Sequence, residues 1–257
     1  MKKTLIAMAV AASAAVSGSA IAWTQNGAGG SVDFSGTLNP KPLVTPWEIK
    51  VGDAVNNLNA PIQKGQSVVD VVLKADIPVL GIRNNNKAGF RGQSGIDPQI
   101  SYSGKVDIDS MKNGVAKLTL DVTSGNQKIG TLSTEMRVAS QATNGSNSNL
   151  MLYAPREGDG FFGGLAKNKA GTWNSVSAYT WAVGLFPGIA ETWSDGNITY
   201  NGGAGIYNFY SGKRIYHAYY ASGIDKSKKI KITLAQPVTG DNEITWNASL
   251  PVTVFYQ

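Results

Sequence analysis

Residues 244–257, ITWNASLPVTVFYQ, alternate without a break. Ile244, Trp246, Ala248, Leu250, Val252, Val254 and Tyr256 hold the even positions. Thr245, Asn247, Ser249, Pro251, Thr253, Phe255 and Gln257 hold the odd ones. A period of two sends successive side chains to opposite faces, so this is a strand with one buried and one mostly polar face. Chain ends usually fray for want of contacts. An end patterned this strongly needs a partner strand to explain it, and a chain built around it is a sheet protein.

The same signals recur along the chain. Alternation, β-branched residues and bounding Gly, Asn, Pro or Asp predict strands over Ser31–Leu38, Trp47–Val51, Ser67–Lys74, Val79–Arg83, Gln99–Tyr102, Val115–Val122, Lys128–Val138, Ile230–Ala235 and Ile244–Tyr256. VAKLTLDVTSGNQKIGTLSTEMRV reads as a hairpin turning at SGNQ, with Leu118, Leu120 and Val122 facing Leu132, Met136 and Val138. KIKITLAQPVTGDNEITWNASL reads as a second, turning at TGDN. Strands joined by short turns point to an all-β antiparallel sandwich. Gln141–Gly223 breaks the pattern. It is rich in Gly, Asn and Ser and holds eight of the ten tyrosines with Trp173, Trp181 and Trp193, so it reads as an insertion in the sandwich. Ser175–Phe186 within it is a candidate short helix. Its aromatics suit either carbohydrate and partner contact or a small core of the insert, and the core reading is favoured.

The other end reads as a leader. Lys2 and Lys3 precede an apolar run, Leu5–Val16, shorter than the ~20 residues of a membrane span. Ala20 and Ala22 then sit at the two cleavage-site positions, so residues 1–22 read as a secretory signal peptide. There is no cysteine, so an exported chain must hold itself by core burial or by assembly. Losing Lys2 and Lys3 lowers the formal charge from +6 to +4, a diffuse charge that supports no nucleic-acid partner.

Catalytic chemistry finds little to work with. The single histidine, His217, lies in IYHAYY and reads as a packed side chain. No cysteine and one histidine leave only oxygen ligands for a metal, and neither metal nor other cofactor is expected. Glu157 and Asp159, in PREGDGFFGG, read as a solvated turn in preference to a paired-carboxylate hydrolase. The chain is not read as an enzyme.

At the mature N-terminus, Val32, Phe34 and Leu38 alternate with Asp33, Ser35 and Thr37 behind a loose NGAGG tether. This is either an ordinary first strand or a mobile strand that completes another chain's sheet. The second option also accounts for Ile244–Tyr256, as a strand whose neighbour is supplied from outside.

Taken with PWEIKVG, PVLGI, GIDPQISY and SLPVTVFYQ, the Lys-rich leader, the start at Trp23 and GSVDFSGTL resemble the chaperone–usher fimbrial subunits of the K88 type. The resemblance spans the chain and is weakest over Gln141–Gly223. It implies an incomplete immunoglobulin-like sandwich lacking its last strand, with a donor-strand extension over 23–40 and a fimbrial domain over 41–257 that carries an insert at about 141–223. Donor residues would be Val32, Phe34 and Leu38. Trp246, Leu250, Val252, Val254 and Tyr256 would face first a periplasmic chaperone, with the Gln257 carboxylate anchored by its basic residues, and then a neighbouring subunit delivered by an outer-membrane usher. The resemblance further implies export through the periplasm to a surface fimbrium, a place among major or minor subunits, and adhesion to host glycoconjugates through the insert, with no glycan-contact residue assigned. The competing readings are an outer-membrane β-barrel and a secreted carbohydrate-active enzyme.

Overall fold

A computed structural model describes residues 25–26, 32–40, 44–145 and 148–257; the expected signal segment, 1–22, lies outside them. The chain divides into two units, 1–43 and 44–257. In the first, residues 32–40 carry no regular secondary structure, so the strand expected over Ser31–Leu38 is not formed. A strand needs a ladder, and alternation alone does not provide one. Val32, Phe34 and Leu38 are 77, 93 and 98 % exposed.

The second unit is all-β. In chain order its strands are β1 (Trp47–Val51), β2 (Val68–Val72), β3 (Ile77–Asn84), β4 (Phe90–Arg91), β5 (Pro98–Ser101), β6 (Val106–Lys112), β7 (Val115–Ser124), β8 (Gln127–Thr143) and β9 (Asn149–Leu152). Two helices follow, α1 (Ser177–Leu185) and α2 (Ile189–Thr192), then β10 (Ala204–Gly205), β11 (Ile215–Ile224), β12 (Lys229–Leu234) and β13 (Thr253–Tyr256). Strand β8, 17 residues long, organises the sheet. Its first half lies between β7 and β12, and its second half between β9 and β11. One strand thereby serves two layers: β6, β7, β12 and β2 continue from its beginning, and β11, β3 and β1 from its end. The result is a sandwich-like sheet.

The expected hairpin forms. Ser124 pairs with Gln127, and Gly125 turns with φ +57°. Ala116, Leu118, Leu120 and Val122 go inward while Lys117, Thr119 and Asp121 stay out. The second expected hairpin does not form, because β12 pairs with β2 and β8 and not with the chain's last residues. The strand expected over Ile244–Tyr256 is likewise cut to Thr253–Tyr256.

Strand β8 continues to Thr143 and β11 begins at Ile215, so the excursion between them covers 144–214, inside the 141–223 expected from composition. The helix anticipated within Ser175–Phe186 is α1. The excursion's aromatics do not form an open contact surface. Trp173, Tyr179, Trp181 and Trp193 pack with α1, α2 and Tyr219 in a core of their own. Tyr207, Phe209, Tyr216 and Tyr220 join the main core with Trp47, Phe90 and Phe161. Strand β11 lies between these two cores: Tyr216, Ala218 and Tyr220 enter the main one, and Tyr219 and Ala221 enter the other.

Candidate functional site

The last fourteen residues keep their alternation in space but lack most of their ladder. Trp246, Ala248, Leu250, Val252, Val254 and Tyr256 are half-buried against the main core, and the odd positions between them are exposed. The backbone is held at two points. Asn247 exchanges both backbone hydrogen bonds with Thr123, at 2.8 and 2.9 Å. Gln257 does the same with Asp97, at 3.1 and 3.2 Å, and β13 pairs with β5 between Thr253 and Tyr256. Among the described residues no ladder reaches 248–252, and β13 has β5 as its one strand neighbour.

Both anchors are odd positions. In an extended strand the N–H and C=O of alternate residues point to opposite edges. Odd residues therefore bond toward β5 and Thr123, and even residues aim their N–H and C=O groups at the unpaired edge. Leu250, Val252, Val254 and Tyr256 thus turn apolar side chains to the core and backbone groups to an edge with no ladder among the described residues. Pro251 is odd, so its absent N–H falls on the other side and leaves the unpaired edge without a missing donor.

Beside this edge lies an apolar groove of about 1050 Å³. Its floor comes from Val71 of β2, Leu118 and Leu120 of β7, Leu132 of β8, and Ile230 and Ile232 of β12. Residues 244–250 and Val252 line it, as do Val51 at the end of β1 and residues 52–60 and Ile62 after it. In that stretch Leu58 and Ala60 pack on the core while Asn57, Asn59 and Pro61 are exposed. This lining was missed in the sequence because Asn and Pro mark it as loop. The signal present was the period of two in Leu58, Ala60 and Ile62.

The far anchor rests on a buried polar knot. Asp97 accepts the Phe209 N–H at 2.8 Å. The Gln99 side chain donates to the carbonyls of Asp97 and Asp159, at 3.2 and 3.1 Å, and accepts from Gly158 N–H at 3.0 Å. Burial pushes the Asp97 carboxyl up to about 6, opposed by the Phe209 N–H and assisted by the charge of Asp159. A raised carboxyl pKa means the folded chain holds its proton more tightly than the unfolded one. Stability from this group is therefore full below about pH 4 and declines as pH rises to about 6. The loss is on the order of 2 kcal/mol. Asp97→Asn is expected to flatten that interval in urea titrations at successive pH values; an unchanged pH profile would contradict it.

The remaining candidates settle into structural roles. His217 is 7 % exposed, with Nε2 3.0 Å from the Lys87 carbonyl. Glu157 is exposed as expected, but Asp159 is not solvated: it is 2 % exposed and accepts the Arg156 N–H at 2.9 Å. The turn needs an acceptor for that N–H, and the carboxylate is folded inward to serve as one. Among the described residues no group of three or more His, Cys, Asp or Glu is placed to hold a metal ion. Val32, Phe34 and Leu38 belong to the first unit and present their apolar side chains to solvent.

A family model described as fimbrial, major and minor subunit, matches residues 1–257. The chain belongs to this family. Fimbrial relatives from Escherichia coli align over their full length and over all of this chain: K88 fimbrial protein AC and K88 fimbrial protein AB, each 28 % identical, and the F41 fimbrial protein, also 28 % identical. For a fimbrial subunit, an unpaired edge over an apolar groove is the feature most in need of a functional account.

Proposed function

We propose that this chain is a structural subunit of an adhesive fimbria and that its groove accepts a strand from another chain. The observation that carries the proposal is the coincidence of two vacant requirements in one place. Among the described residues, even positions 250–256 have no backbone partner along their outer edge, and the groove beside Leu250 and Val252 is floored with apolar side chains. An added strand with apolar residues at every second position meets both. The segment of this chain that fits is residues 32–38, with Val32, Phe34 and Leu38 on one face and exposed.

In this reading residues 1–22 are a signal peptide, 23–40 a donor extension and 41–257 the incomplete immunoglobulin-like acceptor. A periplasmic chaperone fills the groove after export, and at the outer-membrane usher the donor extension of a neighbouring subunit replaces it. The product is a non-enzymatic filament at the cell surface. Host glycoconjugates are its proposed targets as an adhesive fibre. The β-barrel reading fares worse, because among the described residues the sheet path runs from β1 to β2 without closing and a barrel requires closure.

The test is expression of residues 23–257 with and without a second copy of residues 30–38 fused after Gln257. The unfused protein is expected to polymerise or aggregate, and the fused protein to be a soluble monomer. An unfused protein that stays monomeric and soluble without any partner overturns the proposal.

A further inference from the structure

The chain enters the second unit at Val44, whose carbonyl accepts from Gln93 Nε2 at 3.4 Å. Two adjoining loops surround that entry. Arg91 pairs with Ile215 and donates to the Gly212 carbonyl at 3.1 Å, and Gln93 N–H bonds the Phe209 carbonyl at 2.9 Å. Together they present Arg91, Lys213 and Arg214, all exposed, beside Tyr210 at 67 % exposure. Among the described residues none of these three cations has an ion pair, although ten ion pairs are found elsewhere, Lys105, Lys128 and Lys229 each contributing one. A basic face without ion pairs of its own is free to meet an external acidic one.

The groove carries such an acidic rim. Asp241 and Glu243 line it and are exposed, with Lys64 bonded to Asp241 at 2.6 Å as the opposing charge beside them. Asp241 and Glu243 immediately precede Ile244, so they mark one end of the groove strand. A donor seated by Val32, Phe34 and Leu38 is tied to its own second unit by the six residues from Leu38 to Val44, a reach of at most about 20 Å. Whatever surrounds Val44 must therefore land near one end of the neighbour's groove. If Leu38 lies toward Ile244, the unpaired cations meet the acidic rim.

We propose that the basic face around Val44, formed by Arg91, Lys213 and Arg214, docks on the Asp241 and Glu243 rim of the next copy of this chain. The contact rests on the strand-acceptor reading and adds to it a second interface that sets donor direction and speeds encounter. Opposed charges at the margin of an interface act mainly on association rate and its salt dependence. The strand itself supplies the persistence of the joint.

The test uses residues 23–257 refolded from denaturant, with polymer growth followed by light scattering from about 20 to about 300 mM NaCl, a span over which screening of such contacts becomes strong. Wild type is expected to slow as salt rises. Arg91→Glu with Lys213→Glu and Arg214→Glu should grow about tenfold more slowly at low salt and lose the salt dependence. Adding Asp241→Lys and Glu243→Lys to that chain should restore both. Alanine at the three basic positions provides the same comparison where the glutamate set fails to fold, as judged by thermal melting. Wild-type rate and salt dependence in the basic-face variant, or no recovery on reversing the rim, overturn the docking contact and leave strand exchange standing. Absence of polymers from wild type at every salt overturns both.

Discussion

Replacing Phe34 and Leu38 together by aspartate is expected to abolish polymer growth while residues 44–257 melt as before. Both side chains are almost fully exposed, at 93 and 98 %, so the substitutions remove no packing from the subunit that carries them. Their cost arises only in the groove of another copy. Burying each is worth roughly 1.5–3 kcal/mol. Losing both therefore removes at least about 3 kcal/mol, and an aspartate driven into an apolar groove adds its own desolvation penalty. A loss above 4 kcal/mol corresponds to about a thousandfold in affinity. The measurement is binding of a labelled peptide of residues 30–38 to donor-free acceptor sites, with polymer length on native gels as a second readout. The reciprocal change, Val252→Asp, should block acceptance while leaving that chain able to donate. Polymers of normal length from the Phe34 and Leu38 double variant would sink the assignment of residues 32–38 as donor.

The second large effect is expected at Tyr219. Its ring is fully buried on β11 and meets Trp193 edge-on at 5.0 Å between centroids and Tyr179 at 5.8 Å. Its hydroxyl donates to Gln141 Oε1 at 3.1 Å. Burial raises its pKa well above the ordinary tyrosine value, so it stays neutral at any working pH. Tyr219→Ala empties the centre of the small core under α1 and α2 and leaves Gln141 short of a donor. Large aromatic truncations of this kind cost about 3–5 kcal/mol. Tyr219→Phe removes the hydroxyl alone, at about 1 kcal/mol. Urea denaturation separates the two, and an alanine variant as stable as wild type would show that the small core does not need this ring.

Strands with one wet face were legible from sequence. β1 is found at Trp47–Val51 as expected, and the β7–β8 hairpin turns where SGNQ said it would, because Lys117, Thr119 and Asp121 mark the outer face so plainly. β11 was not legible. IYHAYYASGI is buried on both faces, between the main core and the small one, so it shows no alternation and reads as part of the insert. The insert's aromatics pack inward, as the favoured core reading expects. A subdomain with no disulfide fills its interior with its largest side chains, and composition does not tell which side of a ring faces water. At the candidate site, the inward residues Trp246 to Tyr256 were readable from their period. The groove floor was not, because it is assembled from β2, β7, β8 and β12, which are far apart in the chain.

Backbone parity in residues 247–257 has a consequence for variation. The even residues carry side-chain burial and, on the proposed strand-acceptor reading, backbone pairing at the open edge as well, so a change at Leu250 or Val252 would strike two interactions at once. The odd residues Ser249, Pro251, Thr253 and Phe255 have side chains facing solvent and backbones directed to the subunit's own side. Their chemistry can drift in charge, size or polarity with little effect on the edge beside them. A fimbria made of such subunits could alter what its surroundings detect along this strand while its joints remain compatible with every existing copy.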